Sequence, residues 1–448
     1  MNISRSTFVL SFIAWLPLMA SAATPPATHD FVLDNGLKVV VREDHRSPIV
    51  TAQLWIKVGS SYEPPGQSGL SHALEHMVYK GSSKACAGEF TAILEKLGAS
   101  ENAVTGTDFT VFHQTLSSGH AGVAFEILAD LMSTAELDAQ DFTPELKVIQ
   151  EERRMRVDDE ITVLAHERLN SIAHPASGYR TPTIGWMHDL QRMNAVQLQQ
   201  WYQAWYSPDN ATLVVVGDVA PERIKALAQQ HFGHLERRAT PAAPAPVELA
   251  SAGERSLTLH APIAAPRLIM SFNTPSLATA VDRRTAHALR LLDVLLAGSN
   301  SARIKQQLQL SEAIFTEVDS EYDAFNRGDS LLTISTQLNP DKLKDPDEAL
   351  ARLWKVIDAL KDKAPEAVEL ERAKNLLIAN AVYAQDDLLG QAGTLGLLET
   401  IGLDWRLADQ ETDELNKVTP LDIQQVAKTY LTRERLSTAT ILPEKNNG

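Results

Sequence analysis

Short apolar runs open and close each half of the chain, and segments with helical spacing lie between them. In the first half, the segment 31–41 reads as two strands around Asn35-Gly36, a dipeptide typical of a hairpin turn, and Leu213–Val216 reads as a further strand. The second half has strand patterns at 268–272 and 331–335 and helical patterns at 282–296 and 367–384. Each half therefore runs from strands through helices back to strands, which predicts an α+β fold.

A Pro/Ala-rich stretch at 238–247 separates the two patterned halves and reads as a semi-extended connector. The 448 residues of the chain are too many for one ordinary domain and suit two of about 200 residues. We predict a first domain at 23–237, a linker at 238–254 and a second domain at 255–448.

Residues 1–22 have the composition of a secretory signal peptide. They combine a basic Arg5, an apolar run at 8–19 and an Ala20-Ser21-Ala22 cleavage pattern. The segment is too short to be a convincing membrane span, so no stable span is expected after cleavage. We predict a secreted protein, which would be periplasmic if its source is a Gram-negative bacterium.

Charge and cysteine content exclude two classes of function. The formal net charge is −16, and such an acidic chain is not expected to bind nucleic acid. The single cysteine, Cys86, cannot form an internal disulfide and matches no nucleophilic triad, so it reads as a stray thiol.

The segment Ser68–Lys80 carries the strongest chemical signal. His72, Glu75 and His76 have the spacing H-x-x-E-H, the inverted form of the H-E-x-x-H zinc-protease signature. The surrounding apolar residues have helical spacing, with Ser68 as the predicted N-cap. Two histidines four apart project from one face of a helix and can share a metal, with the glutamate beside them. The alternative is an ordinary helix whose histidines serve packing or face solvent.

A catalytic zinc site needs a third protein ligand and an open position for water. A later helix, with Thr143 as predicted N-cap and Pro144 at its first position, supplies the candidates. Glu145 and Glu152 are seven residues apart and share a face, and an apolar stripe surrounds Glu152. Glu151 reads as a solvated surface charge. We predict Glu152 as the ligand and Glu145 as an acceptor that orients one histidine.

These features resemble the pitrilysin/insulinase family of zinc metallopeptidases, the inverzincins. The likeness is densest over Gly59–Gly81 and the two glutamates of the later helix, and weaker matches extend across nearly all of the mature chain. In size and layout the chain is most similar to bacterial relatives of mitochondrial processing peptidase. The resemblance implies one zinc ion per chain on His72, His76 and Glu152, with Glu75 as the catalytic base.

The segment Glu101–Phe112 is similar to the N-A-x-T strand of this family. The resemblance implies that Asn102 and Ala103 bind an extended substrate beside the metal. The β-branched and aromatic residues of the segment favour a strand, and an exposed strand edge can pair with a peptide backbone of any sequence. The alternative for Asn102 is a turn residue before an ordinary strand.

The resemblance also implies two homologous domains, each a mostly antiparallel sheet with helices packed on it, which form half of a clamshell around a chamber. Many family members carry an arginine and a tyrosine in the second half, seven residues apart, which reach the zinc site across the chamber. Here Leu308 and Phe315 fall at those positions, and neither can donate a hydrogen bond. We therefore predict a heterodimer whose homologous partner supplies both donors. The alternative is a homodimer with a modified substrate site.

The sequence thus predicts a zinc-dependent endopeptidase or oligopeptidase that cleaves extended peptides in an enclosed chamber. The rival hypothesis is a non-catalytic peptide-binding or structural subunit of a peptidase complex. An intact Glu75 favours the enzyme, because a purely structural zinc site needs no base.

Overall fold

The computed structural model describes residues 27–249 and 252–444, so the predicted signal peptide at 1–22 lies outside the described residues. Each half of the chain contributes one sheet, and helices cover the sheets on both faces. The predicted α+β fold with two mostly antiparallel sheets is confirmed. Across these two ranges no helix has both the length and the apolar character that a membrane crossing requires.

The first sheet has six strands in the order β1-β2-β6-β3-β5-β4. Their bounds are β1 Thr28–Val32, β2 Lys38–Glu43, β3 Ile49–Ile56, β4 Ser100–Thr105, β5 Thr110–Ser117 and β6 Ala211–Gly217. The pair β2 and β6 is parallel, and all other neighbours are antiparallel. The predicted turn at Asn35-Gly36 joins β1 to β2, and Gly36 adopts the positive φ of 88° that such a turn requires. Strand β4 forms one edge of this sheet.

The second sheet has five strands in the order β7-β11-β8-β10-β9. Their bounds are β7 Arg255–Ala261, β8 Arg267–Thr274, β9 Phe315–Tyr322, β10 Ser330–Leu338 and β11 Leu436–Pro443. Its parallel pair joins the first and last strands in chain order, β7 and β11. With β1 set aside, both sheets place their strands in the spatial order first, last, second, fourth and third. The two halves therefore share one topology.

Eight helices belong to the described part of the first half and six to that of the second. The first set is α1 Leu70–Met77, α2 Glu89–Lys96, α3 Ala121–Ser133, α4 Ala139–Arg153, α5 Ile161–Ala173, α6 Met187–Leu190, α7 Ala195–Trp205 and α8 Pro221–Phe232. The second set is α9 Arg283–Leu296, α10 Pro346–Asp362, α11 Ala367–Ala384, α12 Leu388–Thr400, α13 Glu411–Lys417 and α14 Pro420–Tyr430. Short π-helical segments follow α4 at 154–158 and precede β9 at 305–311.

Each half covers one face of the other half's sheet with a helix. Helix α12 packs on β3 and β6 of the first sheet, where Leu395 meets Trp55 and Val214 in a buried cluster. The approach is close, since a β-carbon at Gly396 would lie 2.1 Å from Nε1 of Trp55. In return, α5 packs on β7, β8 and β11 of the second sheet through Leu169. Buried apolar contacts at both sheets therefore hold the two halves together.

The predicted linker at 238–254 contains no helix or strand within its described residues. Because α12 packs on the first sheet and α5 on the second, each sheet is covered in part by a helix from the other side of this linker.

Candidate metal centre and active site

Helix α1 places His72 and His76 one turn apart on the wall of a cavity. Its apolar face, which includes Leu70, Leu74 and Met77, is buried in the core of the first half. The helical period therefore turns both imidazoles to the opposite side, where their ring centroids lie 4.7 Å apart.

The start of α1 is held by acidic side chains from outside the helix. The predicted N-cap role of Ser68 is wrong, because Gly69 precedes the helix with a φ of 88° and no side chain of its own. The Glu63 carboxylate instead accepts the backbone N–H groups of Gly69 and Ser71 at 2.6 and 2.7 Å. Ser68 donates its hydroxyl to buried Asp189 at 2.6 Å. Burial raises the pKa of Glu63 to about 8, although the two N–H groups oppose that rise.

Helix α4 carries Glu145 and Glu152, and it begins earlier than the sequence pattern predicts. Its N-cap is Asp138, which accepts a backbone N–H at 2.8 Å, so the roles predicted for Thr143 and Pro144 are wrong. A charged aspartate both caps the free N–H groups and interacts favourably with the helix dipole. The proline lies inside the helix as a result. The two glutamates still share one face, two turns apart.

The structure brings His72, His76 and Glu152 together at one point. Oε2 of Glu152 lies 3.7 Å from Nε2 of His72 and 3.5 Å from Nε2 of His76. The ligand atoms of a tetrahedral zinc site, each about 2.0–2.2 Å from the ion, are roughly 3.3–3.6 Å apart. Oε2 of Glu152 is also buried without a hydrogen-bond donor in the described structure. Two imidazoles and one orphaned carboxylate oxygen at these separations fit a zinc ion with one position left open.

The surroundings of the cluster suit a neutral His72 and a fixed carboxylate. Burial, together with the nearby His76 and Arg156, lowers the pKa of His72 to about 3, so the ring is neutral at pH 7. Nδ1 of His76 lies 2.9 Å from Glu145, the residue predicted to orient one histidine. Lys80 holds the other oxygen of Glu145 at 2.6 Å.

Arg156 is a site residue that the sequence reasoning missed. It lines the cavity and pairs with Oε1 of Glu152 at 2.7 Å, which leaves Oε2 facing the histidines. The i,i+4 spacing of the two residues was the available signal. Glu151 points away from the cluster and pairs with Arg154 on the surface, as predicted from its neighbours.

Glu75 lies on the cavity wall beside the histidines and is held by the edge strand. Thr105, the last residue of β4, donates its hydroxyl to Oε2 of Glu75. Burial raises the pKa of Glu75, and the threonine hydrogen bond opposes that rise. Thr105 was not singled out from the sequence, although it is the final residue of the N-A-x-T pattern.

The cavity around these residues has a volume of about 1200 Å³ and is open to solvent. Asn102 and Ala103 line it from β4, and Asn102 lies within the strand instead of in a turn before it. Because β4 pairs only with β5 among the described strands, the backbone groups of its outer edge lie outside the sheet ladder. Exposed Val104 and Val148 add apolar surface to the cavity.

Leu308 and Phe315 do not stand where a side chain could reach a chamber. Both are buried in the core of the second half. The next residue after each of them, Gln309 and Thr316, lines a second cavity. The side-chain amide of Gln309 donates a hydrogen bond to the backbone carbonyl of Thr316 at 2.9 Å. The burial of both side chains argues against a role in substrate binding at these two positions, Leu308 and Phe315. Neither Leu308 and Phe315 nor Gln309 and Thr316 supply the arginine and tyrosine. His166 lines both this second cavity and the cavity at the metal cluster.

Two family models match most of the chain. The model described as "Insulinase (Peptidase family M16)" matches residues 38–185, which contain all the residues of the cluster. The model described as "Peptidase M16 inactive domain" matches residues 192–377. Among the described residues, a group of side chains placed to hold a metal occurs only in the first of these ranges.

The similar proteins agree with this match. The zinc protease PqqE of Helicobacter pylori is 32% identical over 238 residues, which are 52% of this chain and 54% of that protein. The chain thus spans about half the length of that relative. A crystal structure of a protease from Helicobacter pylori superposes with a TM-score of 0.87 at 24% identity, over 93% of this chain and all of that one. The periplasmic protease PqqL of Escherichia coli gives a TM-score of 0.77 at 18% identity, over 94% of this chain and 48% of PqqL.

The fold, the H-x-x-E-H helix with its distant glutamate, and the two family matches lead to one assignment. The chain belongs to the insulinase family, peptidase family M16.

Proposed function

We propose that this protein is a secreted, zinc-dependent endopeptidase or oligopeptidase that hydrolyses extended peptides. The convergence of His72, His76 and Glu152 on one point, with Glu75 beside it, carries this proposal. A structural site would need a fourth protein ligand and no base, whereas this cluster offers three ligands and an adjacent carboxylate.

Zinc bound at this cluster would supply Lewis acidity, which polarises a scissile carbonyl and makes water more acidic. Glu75 accepts a proton from the attacking water and returns it to the leaving amine. The Thr105 hydroxyl holds Oε2 of Glu75 and leaves Oε1 to take the proton. Glu145 fixes the ring of His76, and Arg156 fixes Glu152.

The free edge of β4 suits an extended peptide as substrate. A peptide that adds to Asn102 and Ala103 as a further strand is held by its backbone, so its sequence matters little there. The same strand carries Thr105, which places the bound backbone next to Glu75.

We propose that the active form contains two such units around a chamber, and a heterodimer is the form we favour. The support is the absence of an arginine and a tyrosine at both Leu308/Phe315 and Gln309/Thr316, which leaves the oxyanion donors to another subunit. PqqL, about twice as long, matches this chain with 48% of its length. The signal-like residues 1–22 and the periplasmic description of PqqL support a secreted, periplasmic location.

A non-catalytic subunit is the second candidate, because the model matched by residues 192–377 is described as an inactive domain. That match excludes His72, Glu75 and His76, so it does not weaken the case for the first half.

The test compares the zinc-loaded chain with Glu75→Gln, alone and with a homologous M16 subunit from the same source. Both proteins should bind one zinc per chain, and only the parent should cleave unstructured peptides. Equal cleavage by Glu75→Gln would refute the assigned base. Zinc binding without cleavage by the parent, with every partner tried, would favour the non-catalytic subunit.

A further inference from the structure

The turn that joins β9 to β10 in the second half reaches into the first half. Its Arg327 donates a backbone N–H to Oδ2 of Asp108 at 3.0 Å and its Nε to Oδ1 at 3.3 Å. The guanidinium also lies 4.2 Å from the ring centroid of Tyr62, at cation–π distance. Only 15% of the Arg327 side chain is exposed. The contact is therefore a desolvated one, and it crosses between the two halves.

Asp108 is the centre of this contact. It is 3% exposed, and besides Arg327 it accepts the hydroxyls of Ser61 at 2.8 Å and Tyr179 at 2.5 Å. The Tyr179 hydroxyl in turn accepts the backbone N–H of Gly328 at 2.7 Å. A buried carboxylate is stable only with such donors, so removal of the arginine takes away the cationic partner that Asp108 has among the described residues.

Asp108 belongs to the turn between β4 and β5, which leads back to the active site. Thr105 stands three residues earlier, at the end of β4, and its hydroxyl holds Glu75. Among the described strands β4 pairs only with β5, and it also packs on α1 and α2, so the turn is one of the contacts that hold its C-terminal end. Whatever fixes Asp108 therefore helps to fix Thr105.

We propose that Arg327 is a positioning residue of the active site, through which the second half holds the β4–β5 turn and keeps Thr105 against Glu75. This inference rests on the proposed peptidase function. Under this proposal the second half, which matches the inactive-domain model, contributes to the reaction although none of its described residues belongs to the metal cluster.

The test uses Arg327→Ala, Thr105→Val and the double variant, with Arg42→Ala as the matched control. Arg42 is also buried, and it also pairs across the halves, with Asp409 at 2.7 Å, but its hydrogen bonds go to Asp409 and Thr28 and not to the β4–β5 turn. Amide hydrogen exchange of residues 100–109 should quicken in Arg327→Ala and stay at the parental rate in Arg42→Ala. For folded, zinc-loaded protein, kcat should fall roughly 10–100-fold in Arg327→Ala, as misplacement of a catalytic group does.

The double variant distinguishes positioning from general damage. If Arg327 acts through Thr105, the double variant should have the kcat of Thr105→Val. Once the Thr105 hydroxyl is gone, removal of Arg327 has no further effect on kcat. Multiplied losses in kcat, or unchanged exchange of 100–109 in Arg327→Ala, would overturn the proposal. Should Arg327→Ala not fold, Arg327→Lys, which keeps the charge and loses the Nε hydrogen bond, replaces it with smaller expected effects in the same directions. If the parent cleaves no peptide, the proposed function fails, and the exchange experiment still decides whether Arg327 holds the turn.

Discussion

Oε2 of Glu152 lies 3.5 Å from Nε2 of His76, and the two residues come from different helices, α4 and α1. The neighbouring Glu151 is turned to the surface, with 64% of its side chain exposed against 15% for Glu152. A step of one residue along a helix rotates a side chain by about 100°, which is enough to separate a ligand from a surface charge.

Glu152→Gln should therefore lose zinc, while Glu151→Gln should keep it. An amide at position 152 is a poor zinc ligand and removes the negative charge that the ion neutralises. Mass spectrometry of the metal in dialysed protein measures the outcome, with circular dichroism as the control for folding. Retention of zinc by Glu152→Gln and loss by Glu151→Gln would reverse the assignment.

Gly396→Ala should destabilise the contact between the halves. The added carbon meets the indole of Trp55 at 2.1 Å, and overpacking of this kind costs about 1–3 kcal/mol. Gly393, in the same helix, has nothing within 4 Å of an added carbon, so Gly393→Ala should be neutral or stabilising by up to about 1 kcal/mol. Urea unfolding of both variants measures the difference, and equal stabilities would argue against the packing of α12 on the first sheet.

Stability should fall in mild acid, in part through His287. Burial, with Arg290 nearby, lowers the pKa of this histidine in α9 to about 4 from an ordinary value of 6.5. Below pH 6.5 the unfolded chain therefore takes up a proton on this histidine that the folded protein does not. Through this residue, the free energy of unfolding is highest above pH 6.5 and falls between pH 6.5 and 4. The fall amounts to roughly 3 kcal/mol at most.

His287→Gln should consequently flatten the dependence of the unfolding free energy on pH in that window. The exposed His120, changed to Gln, serves as the control and should leave the slope as it is. Chemical unfolding at several pH values between 4 and 7.5 gives both slopes. A parental slope in His287→Gln would show that this histidine is not held neutral.

The isolated chain should bind zinc and cleave peptides poorly. A missing oxyanion donor lowers turnover by roughly 10²–10³. Addition of a homologous subunit that carries the arginine and tyrosine should restore activity, and replacement of the partner's tyrosine by phenylalanine should remove much of the gain. Full activity from a homogeneous preparation of this chain would contradict the heterodimer and leave the homodimer.

Local residue patterns were enough to predict the separate parts of the candidate site. The helical period of Ser68–Lys80 puts His72 and His76 on one face, and the seven-residue interval does the same for Glu145 and Glu152. Apolar patterns also located the inner strands and the helix at 367–384, because burial of a face or a whole strand leaves a direct imprint on residue type.

Contacts between distant segments could not be predicted from local residue patterns. The cap that Glu63 forms on α1, the hydroxyl that Thr105 offers to Glu75 and the burial of Leu308 depend on how strands and helices pack, and no periodicity records them. The same holds for the exchange of α5 and α12 and for the reach of Arg327 to Asp108. Residue pattern specifies which face of an element is buried, whereas its partner across the core is chosen by the packing of the whole chain.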